Sequence, residues 1–137
     1  MRTCDQSPPG QLLLAIRQFN SRDWYECHET IEEMWLGETG EMKDFLQGSL
    51  QISVALLHWR NGNHGGAVSL LASGVNYLKR VPDVCLWVDV QSLIADSDSV
   101  RVALEELGKD RMDSLESSLI PKIKTVSVAQ LSSTPEE

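Results

Sequence analysis

The stretch from residue 41 to about residue 61 constrains the fold more than any other part of the chain. It is apolar on two arcs, with Phe45, Ile52, Ala55, Leu56 and Trp59 on one and Leu46, Leu50, Val54 and Leu57 on the other. A helix that is apolar nearly all round has to be enclosed by other elements, so this segment is expected at the centre of a helical bundle. Gln47, Gln51 and His58 run between the arcs at i, i+4 and i+11, which gives the central helix a polar seam.

The segments around it carry helical periodicity and the punctuation that bounds helices. Ser7-Pro8-Pro9-Gly10 precedes a first helix over about 10–20, in which Leu12, Leu13, Ile16 and Phe19 fall at helical spacing before Asn20-Ser21. A second helix over about 23–36 opens with Asp23 as N-cap and Glu26 in the capping-box position. Trp24, Cys27, Ile31, Met34 and Trp35 share its apolar face, with His28 inside that face and Glu32 at its edge. Gly37-Glu38-Thr39-Gly40 is a turn, and Asn61-Gly62-Asn63 ends the central helix with Asn63 placed to cap the next. That fourth helix spans about 64–80 and buries Ala67, Leu70, Leu71, Gly74 and Leu78; Pro82 stops it. A last helical region over about 90–108 follows Asp89, with a break expected at Asp96-Ser97-Asp98-Ser99. The fold class is therefore all-α, a compact bundle of about five helices around helix 3. Residues 1–9 read as a flexible lead, 10–108 as the bundle domain and 109–137 as a weakly structured tail ending in Ser132-Ser133-Thr134-Pro135-Glu136-Glu137.

Charge and targeting signals narrow the partners. Twelve Lys and Arg against twenty Asp and Glu give a net charge of −8, which opposes phosphate backbones and anionic lipid surfaces, so neither nucleic acid nor membrane is expected. The N-terminus MRTCDQSPPG lacks a secretory pattern and no window holds the roughly eighteen apolar residues of a span, so a cytoplasmic location is expected. Cys4, Cys27 and Cys85 form no C-x-x-C pair and are expected as reduced thiols, with Cys27 in the core. Four tryptophans and several near-apolar helices imply a homo-oligomer, with Trp87 in a connecting segment as the candidate interface anchor.

His28-Glu29-Thr30-Ile31-Glu32 has the form H-E-x-x-E, one residue short of the H-E-x-x-H zinc pattern. His28 and Glu32 project to one side of the helix, and a carboxylate is an acceptable ligand for zinc, iron or manganese. His58 on helix 3 would complete a three-ligand set for a divalent metal, with Gln47 or Gln51 holding a water or orienting a ligand. In a hydrolytic version Glu29 or Glu26 would be the general base, although Glu29 lies about 100° around the helix from His28. The other reading is a buried polar network that fixes core register in a non-enzymatic interaction or scaffold module, with His28 bonded to Glu32 or Gln51.

One family resembles this arrangement in several parts. The residues are Phe19-Asn20, Trp24-Tyr25-Glu26-Cys27-His28-Glu29, Glu32 and Trp35, then Phe45 to Gln51, then Gly62-Asn63, Gly66-Ala67, Leu71, Gly74 and Leu78. Over about residues 10–80 they resemble the family catalogued as domain of unknown function 309, and the resemblance fades after Pro82. It implies a compact helical bundle and the label "predicted metal-dependent hydrolase", with no substrate. The family's polar signature falls on Glu26, His28, Glu29, Glu32, Gln47 and Gln51, together with the Gly62-Asn63 turn and His58, the same cluster that helical geometry selects.

Overall fold

The computed structural model describes residues 2–126; the expected tail beyond Val126 lies outside the described residues. Five α-helices follow one another: α1 (Gly10–Asn20), α2 (Trp24–Trp35), α3 (Gly40–Arg60), α4 (His64–Leu78) and α5 (Val90–Leu107). Between α4 and α5 lies a two-strand antiparallel hairpin, β1 (Val84–Cys85) and β2 (Val88–Asp89). Two short 3₁₀ turns, Lys109–Ser114 and Ser117–Leu119, come after α5. Each helix packs on the next in chain order, so α3 lies between α2 and α4 as the all-round apolar pattern requires. No helix among the described residues is long and apolar enough to cross a membrane.

The core follows the periodicity, with two refinements. On α1 the buried positions are Leu12, Ala15, Ile16 and Phe19, while Leu13 and Leu14 face outward. On α3 the arc of Phe45, Ile52, Ala55 and Leu56 is fully buried, but Leu50, Val54 and Leu57 of the other arc are only half-buried. The centre of α3 is lined instead by small residues. Ser49 and Ser53 turn their hydroxyls back onto the carbonyls of Phe45 and Ser49 at 2.9 and 3.0 Å, which satisfies two buried polar groups inside the helix itself.

Two of the three expected caps form. Asn63 accepts from the Gly66 amide at 2.9 Å, and Asp89 accepts from both the amide and the hydroxyl of Ser92 at 3.0 and 2.8 Å. Asp23 occupies the N-cap position of α2 but its side chain makes no cap bond. The break expected at 96–99 is absent. Ser97 is fully buried, the Ser99 hydroxyl bonds back to the Ala95 carbonyl at 3.1 Å, and Asp98 pairs with Arg101 across one turn, so the polar run stays helical.

Three expectations about the chain outside the helices are corrected. Cys4 and Cys85, expected as reduced thiols, form a disulfide; the amide of Leu86 donates to the Cys4 carbonyl at 2.7 Å, which sets the two cysteines side by side although 81 residues separate them. The lead is therefore anchored at Cys4, which is buried. The segment after residue 109, expected to be weakly structured, belongs to the body through residue 126. Met112, Leu115, Ile120 and Ile123 are buried, the Trp59 indole donates to the Met112 carbonyl at 2.9 Å, and the Asn20 amide brackets the backbone of Ile123 at 2.7 and 3.0 Å.

The hairpin turn is unusual in its residues. Leu86 and Trp87 both have positive φ, +49° and +69°, in the two central places where glycine or asparagine normally sits. Four ties hold it there: the disulfide at Cys85, the Leu86 to Cys4 bond, and the two bonds of the bridge between Val88 and Thr125, from the Val126 amide to the Trp87 carbonyl and from the Asp89 amide to the Lys124 carbonyl, both 2.8 Å. Left-handed geometry at a non-glycine residue costs about 1–3 kcal/mol and persists where surrounding contacts over-determine it.

Candidate functional site

The interface between α2 and α3 decides where the His/Glu cluster goes. Its centre is a contact between Cys27 Sγ and Ser53 Oγ at 3.4 Å, both buried. Burial holds the Cys27 thiol up at about 11, opposed by its bond to Ser53 and by a backbone bond from Phe19. With Cys27 turned into α3, its neighbour His28 lies about 100° around the helix and is half-buried at the edge of the interface. Its Nδ1 is 3.2 Å from the Tyr25 carbonyl, and its ring tilts over the Tyr25 ring with centroids 5.6 Å apart. Glu26, Glu29 and Glu32 are exposed.

His58 has different surroundings. Asn63 Nδ2 approaches His58 Nδ1 at 3.3 Å, and the ring abuts Gly66, so the imidazole braces the turn between α3 and α4. Among the described residues no three His, Cys, Asp or Glu side chains come together in a group that could hold a metal ion. The expected set of His28, Glu32 and His58 is thus not gathered: each histidine bonds within its own helix end or turn rather than across to the other.

Further along the same α2–α3 edge the chain does build a recess. Trp35 lies two helical turns after His28, on the same stripe of α2. With Lys43, Asp44 and Gln47 of α3 and Tyr77 of α4 it lines a cavity of about 100 Å³. The Lys43 ammonium stands 4.5 Å from the centroid of the Trp35 ring, and the Arg80 guanidinium lies 4.6 Å over the Tyr77 ring while approaching Asp44 at 3.6 Å. Cation–π stacking thus puts one positive group on each of two aromatic rings of the recess, and the Arg80 group also meets the Asp44 carboxylate. Two polar atoms of this seam are buried without a hydrogen-bond partner among the described residues: the indole nitrogen of Trp35 and Oε1 of Gln51, one turn beyond Gln47.

Of the residues expected to act, Gln47 lines this recess and Gln51 sits beside it on α3, whereas His28, Glu32, His58, Glu26 and Glu29 are not among its lining residues. Trp35, Lys43, Asp44 and Tyr77 were not anticipated there. The signal available for two of them was spacing: Lys43 and Asp44 precede Gln47 by four and three residues, so all three project from one side of α3.

Comparison with known proteins gives a family match over part of the chain and no reaction. Residues 12–70 match the model described as "Domain of unknown function (DUF309)". The "Uncharacterized protein YpuF" of Bacillus subtilis (strain 168) is 32% identical over 123 residues, covering 88% of this chain. The chain spans 60% of the length of that relative. The matched stretch holds α1, α2, α3 and the first half of α4, and therefore Trp35, Lys43, Asp44, Gln47 and Gln51, while Tyr77 and Arg80 lie past it. The domain of unknown function 309 family is thus the one that residues 12–70 of this chain match.

Proposed function

We propose that this protein is a small-ligand-binding helical module whose site is the recess between α2, α3 and α4, and that it takes a carboxylate headgroup. The observation that carries the reading is the buried Trp35 indole N–H, without a partner among the described residues, on a ring of the recess over which the Lys43 ammonium stands. Buried donors are nearly always satisfied, so an orphaned one beside a cation is a place built for an acceptor bearing negative charge. Gln47 supplies a further amide at the wall. At about 100 Å³ the recess suits a headgroup a few waters in size rather than a whole metabolite.

The geometry favours binding over metal-assisted hydrolysis. His28 and His58 are each engaged locally, which supports a structural role for them at the ends of their helices.

The test is a two-dimensional NMR titration of the indole N–H signals with acetate, and with acetamide as the neutral counterpart. Trp35→Phe identifies the Trp35 signal. That signal should move saturably with acetate and much less with acetamide, while the Trp59 signal, already committed to the Met112 carbonyl, stays in place. In Lys43→Met the acetate response should weaken by about tenfold. A Trp35 signal that stays put throughout the acetate titration overturns the proposal.

A further inference from the structure

A second cleft lies away from the Trp35 recess, where the segment after α5 crosses the end of α1. Its volume is about 420 Å³, and Arg22, Asp96, Ser117, Ser118, Lys122 and Lys124 line it. In a chain of net charge −8, this cleft carries three cations and one carboxylate. Its local field is thus opposite in sign to that of the molecule as a whole, which concentrates small anions there.

The walls are held in position by bonds that do not use up the charge. Arg22 sits at positive φ, +64°, with its carbonyl accepting from Arg60 at 2.8 Å. Its guanidinium donates to the Ser117 hydroxyl at 2.9 Å and the Ser117 carbonyl at 3.4 Å, so neutral groups orient it, and among the described residues no carboxylate pairs with it. Asn20 clamps the backbone of Ile123 on both its N–H and C=O, between the two lysines, and Ile120 and Ile123 are buried beneath. Lys124 makes only a 3.8 Å approach to Asp96, with both side chains well exposed, a pair worth little against a stronger anion. Lys122 has no ion pair among the described residues.

From this we infer that the cleft is a binding site for a small soluble phosphomonoester. A phosphate presents several acceptor oxygens and nearly two negative charges, matching a forked guanidinium, two ammonium groups and two hydroxyls better than a single carboxylate does. The volume lies in the range of small-molecule sites, so there is room for an organic portion beyond the phosphate. The chain's overall negative charge opposes a nucleic-acid strand or an anionic bilayer, which selects a free molecule as the source of the phosphate.

The experiment is a backbone amide NMR titration of the full chain in phosphate-free buffer at constant ionic strength, with glycerol 3-phosphate as probe and chloride as the comparison anion. Saturable shifts should centre on Ser117, Ser118, Lys122 and Lys124, with the Trp35 indole unmoved, which separates this site from the carboxylate recess. Lys122→Glu should weaken binding by at least about tenfold. Lys109→Glu, the same charge change at an exposed lysine that is not among those lining the cleft, should leave it intact. Shifts that chloride reproduces, equal loss in both lysine variants, or no shift at these residues would each overturn the inference. Since Lys122 is exposed, its variant keeps the fold, and Ser117→Ala provides a charge-neutral check that should also weaken binding.

Discussion

Gly48 and Gly74 face each other across the α3–α4 contact. A Cβ built on Gly48 would fall 2.8 Å from the Gly74 carbonyl and 2.7 Å from Leu78, and one on Gly74 would fall 3.0 Å from the Gly48 carbonyl and 2.8 Å from Ile52. The two helices therefore touch backbone to backbone at this point, and neither residue has room for a methyl group.

Gly48→Ala and Gly74→Ala should each destabilise the fold by about 2–3 kcal/mol, because the added methyl forces the helices apart in a filled core. Gly65→Ala, where nothing lies within 4 Å, should change stability by only a few tenths and in the favourable direction. Urea unfolding of the three variants checks the contrast; a tolerated Gly48→Ala would mean the helices are not in close contact there.

The bundle could be read from the chain because its signals are local. Pro9, Gly40, Asn63 and Asp89 bound their helices, and the apolar stripes of α1 and α2 repeat with the helical period. The direction of the His/Glu cluster is less legible, because a face estimated from 100° steps is wide: His28 and Cys27 both fit an apolar arc, and the Cys27–Ser53 contact is what turns Cys27 onto α3. The hairpin carried no legible signal. Its strands are two residues each and its turn is Leu86-Trp87, with none of the glycine or asparagine that marks such turns. The Cys4–Cys85 pairing depends on that hairpin and was hidden with it. The polar run Asp96 to Ser99 resembles a loop in composition, and only burial of Ser97 shows that α5 continues through it.

Reducing the Cys4–Cys85 disulfide, or replacing either cysteine by serine, should lower stability by about 4 kcal/mol, since the bond closes a loop spanning 81 residues and restricts the unfolded chain. Denaturant unfolding with and without a dithiol reductant measures it. Equal midpoints would show that the bond contributes nothing.

Asn20→Ala should cost about 2 kcal/mol and free the segment around Ile123, because the Asn20 side chain is the partner of both the N–H and the C=O of that residue. Amide hydrogen exchange should quicken at Ile123 and leave the amides of α3 as protected as before. Unchanged exchange at Ile123 would assign its protection to burial alone.

The Cys27 thiol adds a defined pH dependence. Its folded value, about 11, is above the ordinary value of 9.0, so the fold retains the proton more tightly than the unfolded chain does. The contribution is present in full below pH 9.0 and is lost as pH rises from there through about 11, on the order of 2 kcal/mol across that window. Comparing wild type with Cys27→Ala isolates it from other alkaline titrations. The variant should be less stable near neutrality but lose less between the two pH limits, and parallel pH profiles would exclude the linkage.

The left-handed turn at Leu86 and Trp87 has a consequence for biosynthesis. Two of the bonds that hold it, from the Val126 amide to the Trp87 carbonyl and from the Asp89 amide to the Lys124 carbonyl, join it to residues made more than thirty positions later. Once α1 through α4 have left the ribosome their helices can pack and Cys4 can meet Leu86, but Trp87 and Asp89 lack their partners until residues 124 to 126 leave the exit tunnel. Slow translation between those points would therefore prolong the interval in which this nascent chain shows chaperones an unfinished edge.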